Sequence, residues 1–282
     1  MPEAEIVKKH AAIKNRPNTI SSLTKDLKKL GVQLGDIILV HSSLSALGWT
    51  SGNAVAVIEA LRKVVGPAGT IVMPTHTSEN SDPTNWQHPP VPESWWEIIK
   101  KESPPYDPLI TPTRMMGTIA ETFRKYPGVL RSNHPQGSFA VLGPYAAEII
   151  KDHQYTPEFG KGSPIDKLYH LNAKIILLGV DHQNNTSLHY AEWKAILPNK
   201  PYRKQGTAIL EEGRRKWIEY EDIDYNDEDF MKLGKEYENS NLPFSIGKVG
   251  IGTAKIFLMK NLVDFAVNWM EKNRALNKSQ NN

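Results

Sequence analysis

Length, composition and charge exclude several classes of protein. The chain has 282 residues, 39% hydrophobic and 23% charged, enough for a core in one large α/β domain or two smaller ones. The 34 basic and 31 acidic residues leave a net charge of +3 without a basic stripe, so no nucleic-acid partner is expected. The lack of cysteine excludes disulfide scaffolds and thiolate chemistry and favours a cytoplasmic location. No membrane association is expected, because residues 1–10 do not resemble a signal peptide and the apolar runs are short.

The first third of the chain predicts a strand–loop–helix–strand unit. A helix begins at residue 19 or 21 and ends at residue 30, and the continuous apolar run 37–40 predicts a strand buried on both faces. Residues 55–65 carry apolar side chains at helical spacing, and residues 70–74 predict the next strand. Strands joined by a helix favour a parallel pair with a right-handed crossover.

Residues 74–112 differ in character from the rest of the chain. They contain nine prolines, several aromatic residues and one short predicted helix near 94–101. A long irregular stretch inside a compact domain is usually functional or disordered, and this one has too many aromatic residues for disorder. It predicts a wall over a pocket, with Trp95 and Trp96 expected in the core. A proline-rich excursion packed on the surface is the alternative.

The second half of the chain predicts further helices and strands. Thr111 and Pro112 predict an N-cap and the first residue of a helix, which places Arg114 in its first turn. Strands are expected over 138–143 and 174–180, helices over 144–152, over 163–171 and from 185 or 186, a hairpin with its turn at 212–213, and a last helix over 254–270. No linker is evident, which predicts a single domain over 1–282 with a frayed tail over 274–282.

Polar residues follow the first predicted strand where it turns towards the next helix. His41, Ser42 and Ser43 lie there, and ligands of α/β proteins collect at the carboxyl ends of strands. The backbone N–H groups of this segment could converge on an anion, whereas the lack of a GxGxxG sequence or a P-loop argues against the common nucleotide sites. A serine nucleophile without the G-x-S-x-G elbow, or ordinary loop and capping roles, are the alternatives.

A second polar segment follows the strand predicted at 174–180 and points to the same crevice. His189 falls in the first turn of the next helix, where the helix dipole disfavours imidazolium and leaves a neutral ring that can act as a base. Glu192 lies three residues later and can orient that ring or cap the helix. A structural or surface histidine is the alternative. A metal site would combine Asp181, His182, His189 and Glu192.

An acidic stretch over 219–229 supplies further carboxylates. In a strand, Glu219 and Glu221 would share one face and Asp222 and Asp224 the other, so some of these acids must lie beside large apolar groups. Such acids are candidates for binding an amine. A solvated run of charge is the alternative.

Six motifs, in one order over nearly the whole chain, make the sequence similar to a known family. They are ILVHSSLSALGW at 38–49, GPAGTIVMPT at 66–75, PPYDPLITPTRMMG at 104–117, GVLRSNHPQGSFAVLGP at 128–144, GKGSPIDKLY at 160–169 and IILLGVDHQNNTSLHYAE at 175–192. On these motifs the chain resembles the antibiotic N-acetyltransferase family, whose named members are aminoglycoside 3-N-acetyltransferases.

The resemblance implies a fold and a co-substrate. The fold is a single-domain, three-layer α/β/α structure with a mixed, mostly parallel central sheet, distinct from the smaller GNAT-type acetyltransferase fold. Members transfer acetyl from acetyl-CoA to an amine and need no metal. An anion site at a strand end fits this polyanionic coenzyme. The residues that lie along it in similar proteins are His41, Ser42, Ser43, Arg114, Met116 and Gly117.

The resemblance also implies catalytic roles. His189 takes a proton from the amine, directly or through one water, and Glu221 or Glu192 holds its imidazole. Backbone N–H groups near Ser42 and Ser43, or a hydroxyl, would stabilise the oxyanion, with no covalent intermediate. A polycationic aminoglycoside would be attracted by acidic side chains of the irregular wall and the acidic segments, which are Glu79, Asp82, Asp107 and Asp181.

Two other functions stay open on the sequence alone. A coenzyme-binding protein could keep the pocket while acting on another amine or serving as a sensor, because a shared fold does not guarantee shared chemistry. A metal-assisted hydrolase would use the aspartate, histidine and glutamate residues near 181–192 as ligands. The acceptor amine and the oligomeric state are not fixed by these patterns.

Overall fold

A computed structural model describes residues 2–276 of the protein as a central sheet between helices, with a separate hairpin. Its strands are β1 (Ile37–Ser42), β2 (Thr70–Pro74), β3 (Leu130–Arg131), β4 (Phe139–Leu142), β5 (Lys174–Leu178), β6 (Tyr202–Glu211), β7 (Arg214–Ile223), β8 (Phe244–Val249) and β9 (Gly252–Leu258). Its helices are α1 (Glu3–Ile13), α2 (Ile20–Lys29), α3 (Leu44–Leu47), α4 (Asn53–Val65), α5 (Trp96–Glu102), α6 (Gly117–Phe123), α7 (Ala146–Ile150), α8 (Pro164–His170), α9 (Ser187–Lys194), α10 (Phe230–Glu238) and α11 (Met259–Leu276). In the described part of the chain, no helix combines the length and the apolar character needed to cross a bilayer.

The central sheet has seven strands in the order β3-β4-β2-β1-β5-β9-β8. β1 is parallel to both of its neighbours, β2 and β5, which confirms the predicted parallel pair. All other adjacent pairs are antiparallel. Five strands therefore run in one direction and only β4 and β9 run in the other, so the sheet is mixed and mostly parallel, as the resemblance implied.

Helices cover both faces of this sheet and give the expected three layers. Ile38 and Val40 of β1 face α2, α4 and α6, whereas Leu39 between them faces the layer of α7 to α11. Alternation of this kind buries successive residues on opposite faces. It explains why the central strands are continuously apolar in sequence.

Several elements begin and end where the sequence predicts. Thr19 caps α2 in a reciprocal capping box with Ser22, and Ser163 caps α8 with proline in the first turn. The turn between β6 and β7 falls at 212–213, where Glu212 and Gly213 both have positive φ. Backbone of that kind is typical of tight hairpins.

Three predictions about element boundaries are wrong. α6 begins at Gly117 rather than at Pro112, because Met115 (φ 58°) and Gly117 (φ 82°) are left-handed, so Arg114 precedes the helix. Residues 254–258 belong to β9, and the last helix begins at Met259. That helix ends at Leu276 rather than at residue 270, and most of the tail predicted over 274–282 lies outside the described residues. Six elements have no counterpart among the predictions from sequence, namely α1, α3, α10, β3, β8 and β9.

Candidate active site

A cleft of about 830 Å³ opens at the carboxyl ends of β1, β2 and β5. Open α/β sheets bind their ligands at this edge. β1 contributes His41 and Ser42, β2 contributes Pro74, and the turn after β5 leads to His189 in α9. The prediction that both polar junctions face one crevice is confirmed.

Part of the irregular segment lies along this cleft and is called its wall below. Residues between 76 and 91, with Trp86 among them, line it. The β6–β7 hairpin packs against this wall, where Thr207 Oγ1 donates to Asn80 O at 2.8 Å, and its Arg203 and Gln205 also line the cleft. The expectation that Trp95 lies in the core is wrong, because its exposed fraction is 54%.

His189 is held by a carboxylate three residues away on α9. Its Nδ1 lies 2.9 Å from Oε2 of Glu192, whose side chain is 4% exposed. A carboxylate only accepts hydrogen bonds, so in the neutral imidazole Nδ1 carries the proton and Nε2 keeps its lone pair. Among residues 2–276, no group hydrogen-bonds Nε2, and His189 lines the cleft.

The second oxygen of Glu192 is also fully used. Oε1 accepts the backbone N–H of Asn226 at 2.9 Å and Nη1 of Arg274 at 2.5 Å. Arg274 in turn binds both carboxylate oxygens of Asp229. Glu192 is thus fixed by three partners from different elements, which restricts rotation of its carboxylate.

Three aromatic rings pack around the His189 imidazole. Phe159 stacks on it with centroids 5.1 Å apart and an interplanar angle of 16°. Tyr225 and Phe230 lie at 5.2 and 4.9 Å in edge and tilted orientations. These rings and the Glu192 hydrogen bond together fix the plane of the imidazole. A fixed plane is what directed proton transfer requires.

Two further histidines line the cleft beside His189. Burial first, and the neighbouring His189 second, lowers the pKa of both His41 and His76 to about 3. Both rings are therefore uncharged at neutral pH. The Nε2 atom of each is buried and has no hydrogen-bond partner within the described chain. His41 was predicted from the sequence, whereas His76 was not, because it lies in the irregular wall without any periodic pattern around it.

A carboxyl group that the sequence analysis did not identify also lines the cleft. Burial, and then the charge of Asp222, raises the pKa of Glu158 to about 8. The pKa of Asp222 is raised as well, by burial. Asp222 accepts hydrogen bonds from Thr156 Oγ1 and from the Glu158 backbone N–H. No side-chain hydrogen bond to the Glu158 carboxyl exists in residues 2–276, so a ligand has access to an uncommitted acid.

The residues expected to lie along the coenzyme come together at the β1–α3 turn. Of the six, the cleft is lined by His41, Ser42, Arg114 and Met116. A Cβ built on Gly117 would lie 3.7 Å from Ser42 O, so the two predicted segments are adjacent, although Gly117 and Ser43 do not line the cleft. The Ser43 N–H donates to Leu178 O at 3.0 Å. That amide is committed to the backbone of β5, so it is not available as an oxyanion donor.

Most of the acids expected to attract the substrate lie elsewhere. Glu79 lines the cleft, where its Oε1 is 2.6 Å from Arg114 Nη1. Asp82 caps a short 3₁₀ turn and pairs with Lys100, and Asp107 accepts the N–H of Leu109. Neither lines the cleft. Their carboxylates are used by turns of the irregular segment, which is the usual role of aspartate in loops.

Glu221 and Asp181 also lie away from His189. Glu221 is an exposed residue of β7 opposite Lys204, and it neither lines the cleft nor hydrogen-bonds His189. Of the two acids expected to hold the imidazole, the structure places Glu192 there and not Glu221. Asp181 accepts the His182 N–H and pairs with Lys255 at 2.8 Å.

The expected combination of metal ligands is not assembled. In the described part of the chain, the one group of three close ligand atoms belongs to Asp181, His182 and Glu238, and it excludes His189 and Glu192. Lys255 Nζ lies 2.8 Å from Asp181 and 2.7 Å from Glu238. An ammonium group already neutralises these two acids, so the geometry does not favour metal-assisted hydrolysis at His189.

The chain matches a family model described as aminoglycoside 3-N-acetyltransferase over residues 39–271. It is 43% identical to the SPbeta prophage-derived aminoglycoside N(3')-acetyltransferase-like protein YokD of Bacillus subtilis (strain 168), over 93% of this chain and 95% of the relative. The crystal structure of YokD covers 97% of this chain and 99% of its own, at a TM-score of 0.92 and 41% identity. Aminoglycoside N(3)-acetyltransferase VII of Streptomyces paromomycinus is 33% identical, over 91% of this chain and 92% of the relative.

A further relative was solved with a coenzyme bound. The structure of AAC-IIIb in a binary complex with CoASH has a TM-score of 0.82 and 28% identity, covering 91% of this chain and 97% of that one. The family model spans most of the chain, and the fold agrees with these relatives over nearly their whole length. The protein is an acyltransferase that belongs to the aminoglycoside 3-N-acetyltransferase family.

Proposed function

We propose that the protein moves the acetyl group of acetyl-CoA to an amino group of an aminoglycoside or a related amine, with His189 as general base. The observation that carries this proposal is the His189–Glu192 pair, in which the imidazole lines the cleft and its Nε2 has no hydrogen-bond partner among the residues that the structure describes. A histidine fixed in one tautomer by a buried carboxylate is the usual arrangement for a base in acyl transfer.

The proton path follows from this geometry. An amine that arrives as an ammonium ion first releases one proton to water, and Nε2 of His189 then accepts a second proton from the nitrogen as it attacks the carbonyl carbon. Glu192, bonded to Nδ1, stabilises the imidazolium that forms. As the nitrogen–carbon bond forms and the carbon–sulfur bond breaks, the imidazolium returns its proton to the leaving sulfur. The products are an amide and the free thiol of coenzyme A.

The residues of the cleft fit the acetyl donor. Arg114 offers a guanidinium group for a phosphate, and its side-chain partners among residues 2–276 are limited to the exposed Glu79 and the His88 carbonyl. Met115, which is 88% exposed, and Met116 offer apolar surface next to this cation. Acetyl-CoA bound there supplies an acetyl thioester activated for attack by an amine.

The acceptor amine is expected on the hairpin side of the same cleft. Glu158 and Asp227 line this region, together with Tyr225. A cationic amine next to Glu158 favours ionisation of its carboxyl, which would give the ammonium group a counter-ion. This region is therefore the proposed site for an amino sugar or another amine.

A thiol-release assay tests the proposed function. Acetyl-CoA is presented with a panel of aminoglycosides and simple amines to the wild type, to His189→Ala and to the control His170→Ala, an exposed residue of α8. We expect thiol release with at least one acceptor, a 10²- to 10⁴-fold lower kcat for His189→Ala on the order expected of a general base, and little change for His170→Ala.

Coenzyme binding separates the base role from a binding role. Calorimetry should give a Kd for acetyl-CoA that His189→Ala changes by less than about twofold, because Nε2 acts on the amine. Equal losses of binding and turnover would remove His189 from the role of base. Tight coenzyme binding without thiol release for any amine would refute the transferase and favour a sensor.

A further inference from the structure

Arg274, near the end of α11, reaches the active-site carboxylate from the side opposite the cleft. Its Nη1 donates to Glu192 Oε1 at 2.5 Å, while the other oxygen of Glu192 holds His189 Nδ1 at 2.9 Å. The Arg274 side chain is 16% exposed and Glu192 is 4% exposed, so water screens this pair only weakly. The imidazole, the carboxylate and the guanidinium form one continuous chain of charge-assisted hydrogen bonds.

The rest of the guanidinium is used by the loop that follows β7. Nε and Nη2 donate to the two carboxylate oxygens of Asp229 at 2.8 and 2.7 Å, and Nη2 also donates to Asn226 O at 2.8 Å. The N–H of Asn226 in turn donates to Glu192 Oε1 at 2.9 Å. Arg274 of α11 therefore binds both Glu192 of α9 and the loop that follows β7.

The same loop carries two of the rings that fix the His189 plane. Tyr225 and Phe230 lie on either side of the segment that Arg274 binds, with ring centroids 5.2 and 4.9 Å from the imidazole. Removal of the guanidinium would therefore affect His189 by two routes. It frees Glu192 to rotate, and it loosens the loop that supplies part of the aromatic contact.

Arg274 lies three residues beyond the part of the chain that the family model matches. The family model ends at residue 271, and no spacing pattern connects residue 274 with residue 192. Within the described residues its partners are limited to Glu192, Asp229 and Asn226. Glu192 contacts His189, and Asn226 and Asp229 are adjacent in sequence to Tyr225 and Phe230, whose rings contact it.

We propose that Arg274 is a positioning residue for acetyl transfer, which orients Glu192 so that His189 is held with Nδ1 protonated and Nε2 directed into the cleft. This inference rests on the proposed function of His189 as the base. Arg274 contacts neither substrate, so its effect passes entirely through Glu192 and the loop.

A second cavity, behind Glu192, provides a way to test this role chemically. It has a volume of about 370 Å³, and Arg274, Glu192 and Asp229 all line it. Arg274→Ala would leave space that opens onto this cavity. A small guanidinium compound can enter this space and bind the carboxylates of Glu192 and Asp229 in place of the missing Arg274 side chain.

Kinetics of matched variants give the first measurement. The set is Arg274→Met, Arg274→Lys and Arg274→Ala, with Lys272→Met as the control because Lys272 is an exposed residue of the same helical turn. We expect Arg274→Met to lower kcat by about 10- to 100-fold, the usual effect of losing a supporting partner, with KM for acetyl-CoA changed by less than twofold. Arg274→Lys should recover part of the loss. Millimolar methylguanidine should raise kcat of Arg274→Ala and leave Arg274→Met and Lys272→Met unchanged.

The pH profile gives a readout that a purely structural role would not move. The groups that face His189 are His41 and His76 from the sheet side, Glu192 within α9, and Tyr225 from the loop. Loss of the Arg274 cation leaves Glu192 to stabilise the imidazolium more strongly. The acidic limb of kcat/KM in Arg274→Met should therefore move to higher pH by several tenths of a pH unit or more.

The ¹⁵N NMR shifts of the His189 ring keep the inference testable without turnover. They are assigned by their loss in His189→Asn. The wild type should show one tautomer with Nδ1 protonated, and Arg274→Met should show a mixture, even if no amine in the panel is a substrate. If no amine in the panel is a substrate while these ring shifts are observed, the proposed function is refuted and the inference about Arg274 stands. A folded Arg274→Met with unchanged kcat, pH profile and ring shifts overturns the inference. A loss of activity in Arg274→Ala that follows loss of folded protein and is not restored by methylguanidine overturns it as well.

Discussion

The two sides of the cleft differ in how their polar atoms are bonded. On the dyad side, defined by His189, Glu192 and Arg274, both oxygens of the carboxylate are bonded and only the imidazole Nε2 is open. On the hairpin side, defined by Glu158 with Arg203 and Gln205 of β6, the Glu158 carboxyl has no hydrogen bond within the described residues. The buried hydroxyl of Tyr220, which does not line the cleft, has none in that part of the chain either.

This difference in hydrogen bonding matches two different roles, proton transfer and substrate recognition. A proton acceptor must already be in place before the substrate arrives, because reorganisation during the reaction would add to the barrier. Groups that recognise a substrate are more useful when their hydrogen bonds are free to be made with it. The dyad side therefore has the bonding expected of the reaction centre and the hairpin side that expected of the acceptor site.

Glu192→Gln should have the largest effect on kcat, because it changes the carboxylate of the dyad side that holds His189. The amide can present its NH₂ group to His189, which favours the wrong tautomer, and it weakens the ion pair with Arg274. We expect kcat to fall by about 10²- to 10⁴-fold, the order seen when a carboxylate that orients a catalytic histidine becomes an amide. Steady-state thiol release measures this.

Glu221→Gln is the matched control for that experiment. Glu221 is exposed on β7, and we expect its kcat to stay within about twofold of the wild type. A large loss for Glu221→Gln together with a small one for Glu192→Gln would reverse the assignment of the two acids.

Glu158→Gln should have a smaller effect on turnover but a visible effect on stability. Burial and Asp222 raise the pKa of Glu158 to about 8 from an ordinary value of 4.5. The folded protein therefore binds more protons than the unfolded chain between pH 4.5 and 8, so stability falls as the pH rises through this range. Glutamine removes this penalty. Its Tm should exceed that of the wild type at pH 8 by about 2 °C or more, for about 1 kcal/mol, and the two should converge below about pH 4.5.

The same variant measures the role of Glu158 in recognition. Loss of a charged hydrogen bond to an ammonium group should raise KM for the amine by about tenfold, for about 1.5 kcal/mol, with KM for acetyl-CoA unchanged. Glu219→Gln is the control, since Glu219 is an exposed carboxylate of β7. A difference in Tm that does not vary with pH would contradict a raised pKa of Glu158 in the folded protein.

Glu79→Gln should have the smallest effect. Glu79 is 55% exposed and pairs with Arg114, which is 33% exposed. Exposed ion pairs contribute about 1 kcal/mol or less. We expect kcat within about twofold of the wild type and KM changes below about threefold for both substrates, measured by initial rates. A tenfold higher KM for the amine would restore the role expected from the sequence, in which Glu79 binds the acceptor directly.

Much of the fold is readable in the sequence because strong local patterns agree with it. Continuous apolar runs mark β1 and β5, and capping residues mark the starts of α2 and α8. β9 was missed because it runs directly into α11, with no glycine or proline between Leu258 and Met259. The start of α6 was misplaced because the left-handed backbone of Met115 has no sequence signal.

The site was predictable where its residues are close in sequence. His189 and Glu192 are three residues apart on one helix, and that spacing alone suggested their contact. Glu158 and His76 come from irregular loops, and Arg274 meets Glu192 across 82 positions. Contacts of that kind arise from the packing of whole elements. For Glu221, the strand pattern predicted which face of β7 the side chain shares, but it did not predict where the hairpin lies relative to His189.

The order of strands in the sheet has a consequence for how activity arises during folding. His41 and His189 are 148 positions apart, yet the strands that carry or precede them, β1 and β5, are neighbours. β2, β3 and β4 all belong to the stretch between them. Pairings between such distant segments form slowly. A chain that has collapsed without joining β1 to β5 contains every side chain of the site and has no catalytic power, so recovered turnover would report completion of the whole sheet.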